Sequence, residues 1–174
     1  MKIGCHVSIA DSIDRAVDRA SAIGCNTFQI FTRSPRMWKA RTLSEEEVTT
    51  FKKKLEKTGI SPVVSHMPYL PNLSSSNPVP YKRSIDTLRL ELERCNLLDI
   101  PFLVTHLGSH LGKGKEQGQK QIVNAIDTAV SGLDKHPMLL LENTSGKTNE
   151  VGSTFIEIGE IIDRVSTDHV GVCF

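Results

Sequence analysis

Hydrophobic positions along the chain switch repeatedly between two rhythms. Short continuous apolar runs, as in strands buried on both faces, alternate with stretches where apolar residues return every three or four positions, as in amphipathic helices. Residues 2–7 read as a short buried strand. Ile13, Ala16, Val17, Ala20 and Ile23 follow at helical spacing, and Gly24 is the stop signal. Residues 27–31 form a second strand. Ser44-Glu45-Glu46-Glu47 is a capping box, opening a helix with Val48, Phe51 and Leu55 inward and Gly59 at its end. Residues 63–66 are a third strand, followed by a loop rich in Pro, Asn and Ser over 68–80. The next helix shows Ile85, Leu88, Leu92 and Cys95 on one face. Residues 102–105 make the fourth strand, Ile122, Ile126, Ala129 and Leu133 mark the fourth helix, and 138–141 make the fifth strand. Ile158, Ile161 and Ile162 belong to a fifth helix, and 170–174 begin a sixth strand.

Five strand–helix units and one further strand, recurring at roughly 25 to 40 residues, predict an α/β fold with a parallel sheet covered by helices. An open doubly wound sheet and a closed TIM-type parallel β/α barrel both fit the pattern. No G-x-G-x-x-G follows the first strand, which tells against a dinucleotide-binding version. The chain stops inside an apolar strand, Gly171-Val172-Cys173-Phe174. The expectation is a single, incomplete barrel domain over 1–174, truncated after the sixth strand, because an eight-unit barrel takes about 250 residues. The sixth strand is then an open edge and the isolated chain poorly stable.

Composition changes this picture little. The chain is 39% hydrophobic and 24% charged, with a formal net charge of +1, so any nucleic-acid partner must be met by local patches. The four cysteines, Cys5, Cys25, Cys95 and Cys173, form no C-x-x-C pair and suit reduced thiols in a cytoplasmic protein. Neither a signal peptide nor an apolar run of about 18 residues is present, so no membrane is implied.

In parallel β/α folds the chemistry sits at the carboxyl ends of strands. His66, His106 and Glu142 end three consecutive strands there, and His6 lies near the end of the first. Imidazole nitrogen and carboxylate oxygen suit zinc, manganese or iron. Neighbouring strands stand about 4.8 Å apart, so one ion can be reached from adjacent strand ends. Three protein ligands leave coordination positions open, as catalytic metals need. Glu142, with a second oxygen to bridge to another ion, is the candidate catalytic residue. His6, His110 and Asn143 are candidates for orienting the ligands. His136 and His169 fall at strand starts, away from this mouth, and read as surface residues.

Two loops accompany the candidate site. Residues 32–41 carry Arg33, Arg36, Lys39 and Arg41 with the only tryptophan, Trp38. Basic residues with an aromatic among them suit a phosphate backbone and an unstacked base; a solvated basic loop over a packed Trp38 is the alternative. The loop after the third strand offers Tyr69, Leu70, Asn72 and Leu73, which either wedge into a base stack or pin the loop to the barrel. Gly112-Lys113-Gly114-Lys115 fits phosphate contact weakly.

Six blocks, taken in order, resemble the endonuclease IV family of metal-dependent apurinic/apyrimidinic endonucleases: Ile3-Gly4-Cys5-His6-Val7-Ser8, Phe31-Thr32-Arg33-Ser34-Pro35-Arg36-Met37-Trp38, His66-Met67-Pro68-Tyr69-Leu70-Pro71-Asn72-Leu73, His106-Leu107-Gly108-Ser109-His110, Leu141-Glu142-Asn143-Thr144 and Gly171-Val172-Cys173. The resemblance covers the whole chain. It implies an eight-stranded barrel with a cluster of three metals, usually Zn2+, with Mn2+ as an alternative. His66, His106 and Glu142 would surround one of them, and Glu142 would bridge to a second. It implies that Arg36, Tyr69 and Leu70 meet double-stranded DNA; the family commonly has Gln where Met37 stands. The family's other ligands follow the position where this chain ends. The implied activity is a DNA-repair hydrolysis of the phosphodiester 5′ to an abasic site, leaving a 3′-hydroxyl, by a protein monomeric at full length. A xylose-isomerase-like sugar isomerase on the same barrel is one alternative, and a catalytically dead metal- or DNA-binding fragment is another.

Overall fold

A computed structural model describes residues 1–174. Helices and strands alternate as α1 (Arg15–Ala22), β1 (Phe28–Ile30), α2 (Glu45–Thr58), β2 (Val63–His66), α3 (Pro78–Leu98), β3 (Phe102–His106), α4 (Lys115–Val130), β4 (Met138–Glu142), α5 (Phe155–Ile162) and β5 (Val170–Cys173). All strands are parallel, and their order in the sheet is their order in the chain. A doubly wound sheet reverses direction at a switch point, whereas a β/α barrel adds each strand on the same side. The observed order is therefore that of a barrel wall.

The local signals act as their chemistry dictates. Ser44 and Glu47 form the reciprocal capping box of α2, and Gly59 closes that helix at φ 66°. α3 begins at Pro78, inside the stretch expected to be loop. Asn77 caps it, and prolines in the first turn forfeit only N–H groups that have no helical acceptor. α4 stops at Val130, so Leu133 lies beyond the helix it was expected to extend.

The first expected strand is corrected. Residues 2–7 run alongside β1, with Gln29 N donating to Cys5 O at 3.0 Å and Val7 N to Gln29 O at 2.9 Å, yet the pairing amounts to the single bridge His6–Gln29. Only Val7 is buried. The segment has a neighbour on one side alone, so its other residues gain nothing from burial.

Alternation along each strand separates two faces. Phe28, Ile30, Val63, Ser65, Leu103, Thr105, Leu139 and Leu141 are buried beneath the helices. Gln29, Val64, His66, Val104, His106, Leu140, Glu142 and Cys173 share the opposite, inner face. The helix-side layer forms one continuous hydrophobic core with Ala16, Phe51, Leu88, Leu92, Ile122 and Ile158. No helix is long and apolar enough to cross a membrane.

Candidate metal centre

His106 and Glu142 are direct partners across β3 and β4, so their side chains leave the same face at the same height. His66 is opposite Val104, one pleat lower, and its ring reaches up to the pair. Glu142 Oε2 lies 3.0 Å from His66 Nε2 and 3.0 Å from His106 Nδ1. The potential ligand atoms of all three residues fall within 4.8 Å of one another.

The hydrogen bonds say what this cluster needs. His66 Nδ1 donates to Met67 O at 2.7 Å, so a ring carrying one proton has its lone pair at Nε2. That lone pair faces a carboxylate oxygen, which is also an acceptor. Two acceptors at 3.0 Å repel unless positive charge, a proton or a metal ion, lies between them. A divalent cation satisfies both imidazoles and the carboxylate together. Ligand atoms about 2 Å from a tetrahedral ion stand about 3.3 Å apart, close to the spacing already present. The residues therefore fit a metal ion. The other oxygen of Glu142 has no hydrogen bond within the chain and is free for a second ion or a solvent molecule.

His6, His110 and Asn143 do not form the expected shell of ligand-orienting hydrogen bonds. His6 Nδ1 meets Gln29 Nε2 at 3.0 Å, and its ring packs on Phe31, which in turn packs edge-on against His66. Burial pushes the His6 imidazole below its ordinary value, and nearby His66 adds to this. His110 turns toward α4: its Nδ1 accepts from Gly114 N at 3.1 Å, capping a helix whose own N-cap residue has no side chain. Asn143 lines the cleft beside His106, and its backbone N donates to Cys173 O at 3.1 Å. Sequence reasoning missed Cys173, which pairs with Glu142 across the sheet on the same face. Burial, and then the Glu142 charge, push its thiol up. The alternation of β5 was the available signal.

Tyr69 and Leu70 are exposed at the rim, and Tyr69 N donates to Pro35 O at 3.2 Å, joining the two loops. Phe31 packs edge-on against Tyr69, so aromatic rings lead from the rim down to His66. Leu73 is fully buried and pins its loop, while Leu70 stays out. Arg36 is exposed and makes no ion pair, and neither does Lys39. Arg33 and Arg41 do not belong with them: Arg33 is buried against Glu91, and Arg41 pairs with Glu47 at 2.5 Å. Trp38 is half-buried with the Arg83 guanidinium over its ring at 5.9 Å.

Asn72, picked out with its loop in the sequence, supplies an organising contact between loops. Its Oδ1 accepts from Ser109 N at 3.0 Å and Ser74 N at 3.1 Å, and its Nδ2 donates to Ser109 O at 2.9 Å. Gly108, at φ 91°, makes room: a Cβ there would stand 2.1 Å from Asn72 Oδ1. A cleft of about 490 Å³ opens between these loops, lined by Tyr69, Leu70, Asn72, His106, Ser109 and Asn143.

A curated relative from Cenarchaeum symbiosum, named probable endonuclease 4, is 52% identical over 99% of this chain and 62% of its own length. The crystal structure of endonuclease IV from Thermus thermophilus superposes with a TM-score of 0.84 at 35% identity, covering 95% of this chain and 60% of that one. A D-tagatose 3-epimerase-like protein gives a TM-score of 0.75 at 18% identity, covering 98% of this chain and 64% of that one, a likeness of fold alone. The chain thus spans about three fifths of the length of the relatives it matches. A family model described as xylose isomerase-like TIM barrel matches residues 17–174, and the chain belongs to that family.

Proposed function

We propose that this chain is the metal-gripping and lesion-probing part of an endonuclease IV-type phosphodiesterase, acting as a cytoplasmic monomer on double-stranded DNA and cutting 5′ to abasic sites to leave a 3′-hydroxyl. The observation that carries the reading is a three-ligand strand-end cluster beside a rim of unpaired cation and exposed apolar side chains. His66, His106 and Glu142 are the residues that would hold an ion, with Zn2+ first and Mn2+ second by donor type. Such an ion, when bound, supplies Lewis acidity to a phosphoryl oxygen and lowers the pKa of water.

The chain's own residues do the rest of the local work. Arg36 meets the phosphate backbone as an unpaired guanidinium. Tyr69 and Leu70 enter the gap left by a missing base, where little stacking is lost on extruding the sugar. Glu142 would offer its second oxygen to a further ion, in a set of three whose other ligands the rest of an eight-stranded barrel would bring; within this chain one cluster of three ligands is complete.

The test uses the protein at its relatives' full length, loaded with Zn2+, on a duplex with one abasic site. The expected product is a single nick on the 5′ side with an end that a polymerase extends, abolished by Glu142→Gln. Epimerisation or isomerisation of a free sugar without nicking would replace this reading with the isomerase one.

A further inference from the structure

The loop that carries Arg36 rests on a buried network of charges. Thr32 Oγ1 donates to Glu91 Oε2 at 2.7 Å and accepts from Arg94 Nε at 2.8 Å. Arg94 Nη2 donates to Thr32 O at 2.5 Å, and its Nη1 to Arg41 O at 2.9 Å. Arg33 Nε stands 3.0 Å from Glu91 Oε1, while its Nη1 donates to Trp38 O at 2.9 Å. Backbone carbonyls at the start, middle and end of the loop are thus each held by a guanidinium, and Glu91 pairs with Arg33 directly and with Arg94 through the Thr32 hydroxyl.

Glu91 is fully buried and Arg94 nearly so, on a face of α3 that otherwise presents Leu88, Leu92 and Cys95 to the core, and Arg33 reaches them from the loop, itself nearly buried. Burial pushes the Glu91 carboxyl up, against the pull of Thr32, Arg33 and Arg94. Buried ion pairs seldom stabilise more than apolar side chains of the same volume, so stability alone is a poor account of this set. What a guanidinium adds is direction: its fixed fork of donors holds several carbonyls at once.

We propose that Glu91, Arg33 and Arg94 are positioning residues that hold the 32–41 loop in one shape and so present Arg36 to a DNA backbone, an inference that rests on the function proposed above. Met37 and Arg36 stand exposed between the gripped carbonyls. A loop free to rearrange would lose conformational entropy at every binding event, and a held one has lost it on folding.

Arg94→Lys keeps the charge opposite Glu91 and removes the fork. Amide hydrogen exchange at residues 34–40 is expected to rise at least about 10-fold, one decade being 1.4 kcal/mol, with β2–β4 amides and metal content unchanged. Affinity for an abasic duplex falls, and Arg36→Ala/Arg94→Lys binds no more weakly than Arg36→Ala alone, since the network acts through Arg36. Thr32→Val, which deletes one hydroxyl and no charge, follows the same order at smaller size. Unchanged loop exchange in either folded variant, or additive losses in the double variant, overturns the proposal. If Arg36→Ala leaves DNA affinity intact, the DNA reading fails, and loop exchange then decides separately whether the network holds the loop.

Discussion

Two pairs of histidines stand at opposite ends of the same sheet, His66 and His106 where β2 and β3 finish and His136 and His169 just before β4 and β5 start, and they begin with the same bond. At the mouth, His66 Nδ1 donates to the carbonyl of the next residue, Met67, at 2.7 Å. At the base, His136 Nδ1 donates to the carbonyl of its own next residue, Pro137, at 2.8 Å. Each has a histidine neighbour, with ring centroids 5.0 Å apart for His66–His106 and 5.4 Å for His136–His169. The second nitrogen separates them. His136 Nε2 faces the Thr167 hydroxyl at 3.1 Å, which can donate, so the ring is satisfied without any ion. His66 Nε2 faces the Glu142 carboxylate, which cannot, and His106 faces the same oxygen. Proximity of imidazoles is common to both ends; a carboxylate oxygen shared by two of them is found at the mouth.

The strongest way to break this contrast is to remove a ligand. His66→Ala should weaken Zn2+ or Mn2+ binding by at least about 100-fold, since loss of a mere ligand-orienting partner costs 10–100-fold. His136→Ala should leave it unchanged. Isothermal titration with each ion compares the two, and equal losses would end the distinction.

Metal itself gives the next effect. An ion that binds only the folded chain at 100 times its dissociation constant adds about 2.7 kcal/mol of stability. Thermal unfolding with and without chelator should register this shift in the wild-type chain and in His136→Ala, and at most about 0.4 kcal/mol in His66→Ala.

Arg36 sharpens the contrast from the rim. Arg36→Ala should reduce affinity for duplex DNA and flatten the dependence of log affinity on log salt by about 1, while metal titration stays unchanged. Binding isotherms at several salt concentrations measure the slope.

The smallest effect concerns a carboxylate whose cation the chain supplies itself. Arg41, together with the Ser44 cap, holds Glu47 down at about 2, from an ordinary 4.5. The folded chain therefore binds the proton less readily than the unfolded one. The pair's contribution is complete above pH 4.5 and is lost as pH falls through about 2. Glu47→Gln should remove that acid dependence, read as unfolding midpoint against pH, and leave metal binding alone. Glu142 has no such guanidinium, and the comparison asks whether an ion takes its place.

Much of this was legible without coordinates. Continuous apolar runs marked the strands at 63–66, 102–105 and 138–141, and each was placed within a residue of its position in the sheet. The capping box at Ser44–Glu47 and the stop at Gly59 are local hydrogen bonding and a positive φ, written in neighbouring residues. His66, His106 and Glu142 could be proposed as partners because parallel strands of similar length bring their ends together. The first strand misled, because an apolar run reports the capacity for burial and not whether a neighbour covers it.

The amino-acid order alone determined the alternation of helix and strand and the identity of the strand-end side chains, while the strand order of a barrel wall was seen only in the sheet. These follow from periodicity and from short-range geometry. The tertiary structure decided which charges are free. Arg33 and Arg36 are three residues apart in one loop, yet Arg33 is buried against Glu91, 58 positions away in sequence, and Arg36 is exposed without an ion pair. Pairing over such distances depends on how helices pack against the sheet, and no local pattern encodes it.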